Sequence, residues 1–219
     1  MHSIYNFATG PLCWAAFIIF IGGLLLKFIS MVRRARSSEP YIFGYFSPYF
    51  GLRSVIAWLI PFVPRNGKLN PVFTVVTFAF HICLLVAPLF LMAHVMLLQE
   101  GVGMHWGTLS DATADVMTVI VLVGLAYFAY RRCTDPTAKY VTGPKEWVLL
   151  ALVAAPFLTG FLAYHQIFDY QVMVVLHILS GEAMLIAIPF TWLSHMLLFP
   201  MVRMYQGSEF GGVRHVKDW

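Results

Sequence analysis

Five stretches of the chain are apolar over lengths that can cross a bilayer, for which about 20 consecutive residues are needed. The first covers 5–29 and contains Phe17-Ile18-Ile19-Phe20-Ile21 and Leu24-Leu25-Leu26. No basic segment precedes it, while Lys27, Arg33, Arg34 and Arg36 follow, so it reads as a retained anchor and not a cleaved leader. The second covers 72–98, opening after Asn70-Pro71, and Pro88 in its middle predicts a kink. The third covers 112–130, with Ser110 or Asp111 as its cap. The fourth covers 146–164 after Gly143-Pro144. The fifth covers 170–199, longer than the hydrocarbon requires, and is expected to tilt or project past the headgroups. Between the first two stretches, Leu52, Val55, Ile56, Leu59 and Ile60 recur at helical spacing beside Arg53. Over 49–60 that pattern fits a short helix in the membrane interface, or equally a connector packed on the bundle. The expectation is an all-α integral membrane bundle of five transmembrane helices, one domain over residues 1–219.

Composition sharpens this reading. Apolar residues make up 60% of the chain and charged ones 11%, against about 45–50% and about 25% in soluble domains. So few charges cannot clothe a water-exposed surface, and lipid must solvate much of the exterior. The 14 lysines and arginines sort cleanly. All fall at or beyond the inner ends of the first, third and fifth spans, from Lys27 to Lys68, from Arg131 to Lys145, and from Arg203 to Lys217. The opposite face carries only Glu100, Asp111, Asp115 and Asp169. The positive-inside rule then places the N-terminus outside and the C-terminus in the cytoplasm. The net charge of +4 follows from this sorting and does not point to a nucleic-acid partner. Cys13, Cys83 and Cys133 form no C-x-x-C, so no thiolate-held cluster or zinc ribbon is encoded, and no thioether-linked haem either.

Ionisable side chains at membrane depth are costly and point to function. Four histidines lie within two spans: His81 and His94 on the second, His177 and His195 on the fifth. With the second span entering from the cytoplasm and the fifth returning to it, His81 and His195 share the inner depth, and His94 and His177 the outer. Two antiparallel helices offering two histidine pairs is what bis-histidine haem ligation asks for. On an ideal helix the 18 positions from His177 to His195 make five turns, roughly 27 Å on one face. The 13 positions from His81 to His94 give roughly 220° of rotation, so only a kink or bulge near Pro88 would bring those two to one face. The alternatives are hydrogen-bonded packing histidines, or a proton or ion pathway with Glu182 in a transporter. Neither an inverted repeat nor an interrupted helix pair, the usual marks of transporters, is legible. His165, at the outer end of the fourth span, stands as a rival ligand, a quinone contact or an interfacial histidine. Ser180 and Gly181 would let a haem edge or another helix approach. Glu100, Asp111, Asp115, His165 and Asp169 could carry protons near a quinol or serve as solvated caps.

His177-Ile-Leu-Ser-Gly-Glu and Ile188-Pro-Phe-Thr-Trp-Leu-Ser-His195 resemble the last helix of the respiratory nitrate reductase gamma subunit, with its two haem-ligating histidines at the same separation. Phe80-His81 and His94 resemble that family's other pair, at a larger separation here. Arg131-Arg132, Pro136 and Thr142-Gly143 also fit. Phe80-His-Ile-Cys-Leu-Leu, Pro88-Leu-Phe-Leu-Met-Ala-His94 and Pro156-Phe-Leu-Thr-Gly look like the related cytochrome b subunits of the Tmc, Hmc and Dsr membrane complexes of sulfate-reducing bacteria. The resemblance covers nearly the whole chain. It implies five helices in a bacterial cytoplasmic membrane and two b haems, His81 with His195 holding the inner iron and His94 with His177 the outer. It implies an electron-transfer subunit between a periplasmic multihaem cytochrome c, or the quinone pool, and a cytoplasmic iron–sulfur subunit of heterodisulfide-reductase type. Menaquinone is a further cofactor such a subunit could use, with quinol/quinone oxidoreductase activity. The nitrate reductase subunit has a lysine near its outer quinol site, and this chain has no lysine or arginine on that face. The alternative is a haem-free membrane transporter or structural anchor subunit.

Overall fold

The computed structural model describes residues 2–219, with side chains from Ser3 onward. The described residues are helices and their connections, without strands. Five helices are long and apolar enough to cross a membrane: Ser3–Ser38, Pro71–Phe90, Asp111–Thr134, Pro144–Tyr164 and Tyr170–Phe190. Their outer faces stay apolar, with Ile18, Leu26, Val123 and Val148 all exposed. Such continuous exposed apolar surface is what lipid covers.

The helices begin and end where local chemistry dictates. Helix α1 (Ser3–Ser38) accommodates Pro11 in a wider π turn over Ala8–Leu12, since proline has no N–H and crowds the preceding turn. It runs past the expected end at 29, because its basic residues are good helix formers. It stops at Glu39, whose backbone is pushed out of the helical region by Pro40. Helix α2 (Pro48–Leu59) falls on the expected connector segment. Helix α3 (Pro71–Phe90) ends at Leu91, which is extended, and α4 (Met92–Val102) starts anew before stopping at the left-handed Gly103. The second span is therefore broken, not merely kinked, and the break falls three residues after Pro88. Helix α5 (Asp111–Thr134) is capped by Ser110, whose hydroxyl accepts from Thr113 N. Helix α6 (Pro144–Tyr164) opens with Gly143 N donating to Glu146 Oε2 at 2.6 Å.

The fifth span departs most from the expectation of one rod over 170–199. Helix α7 (Tyr170–Ala187) passes into a 3₁₀ turn at Ile188–Phe190, the chain extends at Thr191, and a second 3₁₀ turn leads into α8 (His195–Gly207). Pro189 removes an N–H from the ladder, and the Thr191 hydroxyl accepts from Leu193 N, capping a fresh start. His177 and His195 thus stand on separate helices, and the ideal five-turn relation between them does not apply. The sequence shows no interrupted helix pair, whereas the structure interrupts both the second and the fifth apolar runs.

The chain divides into two compact units, one of residues 75–181 and one of residues 2–74 with 182–219. In the first, Phe80 packs on α5: a Cβ on Gly124 would lie 3.1 Å from its ring, and Phe128 meets it edge-on. In the second, α2 lies on α8 through small residues. Gly51, Ser54 and Ala57 are buried, and a Cβ on Gly207 would lie 2.6 Å from Ser54 Cβ. The apolar stripe read from the sequence points the other way, with Leu52, Ile56 and Leu59 exposed. The C-terminal tail closes over α2: Asp218 accepts from Ser54 Oγ and lies 3.6 Å from Arg203, which stacks on Trp58.

Candidate functional site

A helix end leaves carbonyls without partners in its own ladder. At the α3–α4 break three consecutive carbonyls each find a donor elsewhere in the chain. Leu109 N donates to Phe90 O at 2.9 Å, Trp106 Nε1 to Leu89 O at 2.8 Å, and His94 Nδ1 to Pro88 O at 2.9 Å. Holding Nδ1 as the donor fixes the tautomer of His94, so that Nε2 carries the lone pair.

His177 on α7 is set in the same way. Its Nδ1 donates to Pro156 O of α6 at 2.8 Å. Gly160, one turn on, makes room: a Cβ there would lie 2.9 Å from His177 Nδ1 and 3.0 Å from Cε1. Ser180 donates to His177 O at 2.9 Å. The two rings meet, with centroids 5.8 Å apart and planes within 10° of parallel.

Haem ligation makes a specific demand on this spacing. A metal–imidazole bond of about 2 Å on each side of a planar macrocycle separates axial ring centres by about 6 Å. Metal-bound histidines characteristically donate their other ring N–H to a carbonyl or carboxylate, as both do here. A bare ion would want a further donor, and among the described residues no group of three or more His, Cys, Asp or Glu side chains assembles.

The other histidines are placed as follows. His81 on α3 has Nδ1 2.7 Å from Thr77 O and its ring edge-on to Phe80. His195 opens α8 with Nδ1 3.0 Å from Trp192 O. His94 and His195 lie just beyond the spans Pro71–Phe90 and Tyr170–Phe190, not within them as the apolar run lengths suggest. Even so, His81, His94, His177 and His195 each direct Nδ1 to a backbone carbonyl. His165, at the end of α6, does not. Its Nε2, the nitrogen an iron would need, lies 2.8 Å from Asp115 Oδ1 of α5, with Phe161 and Tyr164 against its ring. Asp115 is therefore the partner of His165 and not a simple cap.

Sequence reasoning overlooked three contributors. Pro88 and Pro156 supply the carbonyls that orient the rings, and Gly160 supplies the space. A glycine in the middle of an apolar span was the available signal. Lys27 was also underread. On α1 its ammonium donates to Ser194 Oγ at 2.5 Å and Pro189 O at 3.2 Å, occupying the α7–α8 break.

A protein of Nitratidesulfovibrio vulgaris (strain Hildenborough), described simply as a protein, is 37% identical over 213 residues, covering 94% of this chain and 93% of its own length. No family model matches the chain.

Proposed function

The chain belongs to the same family as the Nitratidesulfovibrio vulgaris protein, and we propose that it is a di-haem b-type cytochrome, the membrane-anchoring electron-transfer subunit of a larger complex. The observation that carries this reading is the His94–His177 pair, two near-parallel imidazoles 5.8 Å apart with both Nδ1 atoms committed to carbonyls. A haem bound there supplies reversible one-electron chemistry. The protein's part is to hold the rings in one tautomer, to keep Gly160 clear of His177, and to exclude water with apolar spans. His81 and His195 would hold the second haem, a role supported by their shared depth in the sequence and the resemblance of their motifs.

The sorting of lysine and arginine supports an N-terminus outside and a C-terminus in the cytoplasm of a bacterial inner membrane. In that orientation the subunit carries electrons between a periplasmic multihaem cytochrome c or the quinone pool, with menaquinone as the quinone, and a cytoplasmic iron–sulfur subunit. His165 with Asp115 is the natural contact for a quinone head group at the outer end, since the pair can accept and return a proton.

One observation favours the haem-free transporter reading: two interrupted spans, a feature transporters use to expose carbonyls to ions. Against it, the carbonyls at both breaks are engaged by His94, Trp106, Leu109 and Lys27. The test is a dithionite-reduced minus oxidised spectrum of the purified chain, with its haem-to-chain ratio. Two b haems per chain are expected. A chain without a Soret band, expressed with adequate haem supply, would move the transporter or anchor reading to first place.

A further inference from the structure

Arg53 stands on α2 at the border between the face buried on α8 and the face left exposed. Ser54 and Ala57 are buried on one side of it, while Tyr49, Ile56 and Ile60 are exposed on the other. Its guanidinium is seated by two rings and two glycines. Cζ lies 4.8 Å from the Phe50 ring centroid and 5.0 Å from that of Trp219. A Cβ on Gly211 would come within 2.6 Å of Arg53 Nη2, and one on Gly212 within 3.2 Å of Phe50 Cδ2. The tail turns back at His215, whose φ of 56° is left-handed, and Val216 N donates to Phe210 O at 2.8 Å. That return brings Lys217 Nζ to 6.0 Å from the Trp219 ring. Phe50, Arg53, Gly211, His215, Val216 and Lys217 thereby line a cavity of about 280 Å³. Two cations share one aromatic ring there, and the tail's carboxylates are spent elsewhere. Asp218 accepts from Ser54 Oγ and lies 3.6 Å from Arg203, and Glu209 is paired with Arg214. Among the described residues Arg53 and Lys217 form no ion pair, and Arg53 Nε is buried without a hydrogen-bond partner. Like charges gathered in this way attract an anion.

We propose that this cavity binds the phosphate group of an anionic phospholipid, with Arg53 and Lys217 on the phosphate and the acyl chains along the exposed apolar side of α2. A guanidinium offers planar, paired N–H donors to phosphate oxygens, and an ammonium adds a point charge. A lipid headgroup and free phosphate share this chemistry and differ in what is attached to it. Beside the cavity Tyr49, Ile56 and Ile60 stand exposed. An acyl chain gains by covering such a surface, and an inorganic ion does not. Basic pockets at the ends of membrane helices hold acidic headgroups in the same way. The proposal rests on α2 lying in the membrane interface and is independent of the haem reading.

The experiment is a titration of the full chain in detergent, read by native mass spectrometry. The probes are dihexanoyl phosphatidylglycerol, dihexanoyl phosphatidylcholine and inorganic phosphate. We expect one phosphatidylglycerol to be retained per chain, with phosphatidylcholine and inorganic phosphate both bound more weakly. Lys217→Gln should weaken phosphatidylglycerol binding about fivefold, the loss of one cation near a lipid surface, and leave phosphatidylcholine unchanged. Arg53→Gln should weaken it at least as much. Lys217 is exposed on the tail, so its variant decides the matter even where Arg53→Gln does not fold. Lys68→Gln removes an exposed cation that does not line the cavity and should change nothing. Equal weakening by Lys68→Gln, or none by the cavity variants, would overturn the site. Inorganic phosphate bound as tightly as phosphatidylglycerol would overturn the lipid assignment. Equal binding of phosphatidylglycerol and phosphatidylcholine would overturn the claim that the cavity selects an anion.

Discussion

The second and fifth spans are both interrupted shortly after a proline, yet the two breaks are repaired differently. At the first, the carbonyl of Pro88 is taken by the imidazole of His94. At the second, the carbonyl of Pro189 is taken by the ammonium of Lys27, reaching from α1. The first repair uses a neutral ring that keeps a lone pair for something else. The second uses a cation with no acceptor capacity, and adds the Ser194 hydroxyl at 2.5 Å. In the proposed cytochrome the α3–α4 break prepares a ligand, whereas the α7–α8 break anchors one helix to another. His195, which follows Ser194 directly, directs Nδ1 to the Trp192 carbonyl.

Breaking the ligand-bearing side should have the largest effect. Changing His177 to alanine is expected to halve the haem content, from two to one per chain, as measured by pyridine haemochrome against protein. Gly160→Ala should come next. Its new methyl would crowd His177 Nδ1 at 2.9 Å, costing about 1–3 kcal/mol as overpacking in a rigid helix contact. The outer haem should then be lost more readily on dilution or heating, with the inner one unmoved.

Perturbing the anchor should cost stability and leave the outer ligands alone. Lys27→Met removes both ammonium hydrogen bonds at the second break and leaves Pro189 O without its partner, a loss of about 1–3 kcal/mol. Thermal unfolding in detergent should report it, while the His94–His177 haem keeps its spectrum. The smallest effect should come from Asp135. Backbone donation from Thr137 and Ala138, together with Arg131, holds its carboxyl below the usual range, though burial pulls the other way. Since the folded value is depressed, its contribution is present above the unfolded carboxylate range and is lost as pH falls through the folded one. Asp135→Asn should remove that slight acid sensitivity, seen as convergence of the two unfolding curves at low pH. Because the side chain is only half-buried and open to solvent, the difference at neutral pH should be small.

The spans, the Ser110 cap and the proline starts at Pro71 and Pro144 were legible because each rests on local chemistry: apolar run length, a hydroxyl next to free amides, a ring that presets φ. The breaks were not. Leu91 and Thr191 are ordinary residues whose extended backbones follow from prolines two or three positions earlier and from donors that return from elsewhere, such as Trp106 and Lys27. Periodicity treats an apolar run as a rod, so it placed His177 and His195 on one helix. Of the site, the four histidines were legible as a pattern of depth. What orients them was not, because Pro88 O, Pro156 O and the missing Cβ of Gly160 belong to backbone and empty space. The role of Lys27 was hidden by its own plausibility as a topological charge.

The most direct test of the central claim is haem quantification by pyridine haemochrome on three proteins purified alike: wild type, His177→Ala and His165→Ala. The account predicts two, one and two b haems per chain, because His165 spends Nε2 on Asp115 whereas His177 faces His94. Loss of a haem from His165→Ala with both retained in His177→Ala would contradict it.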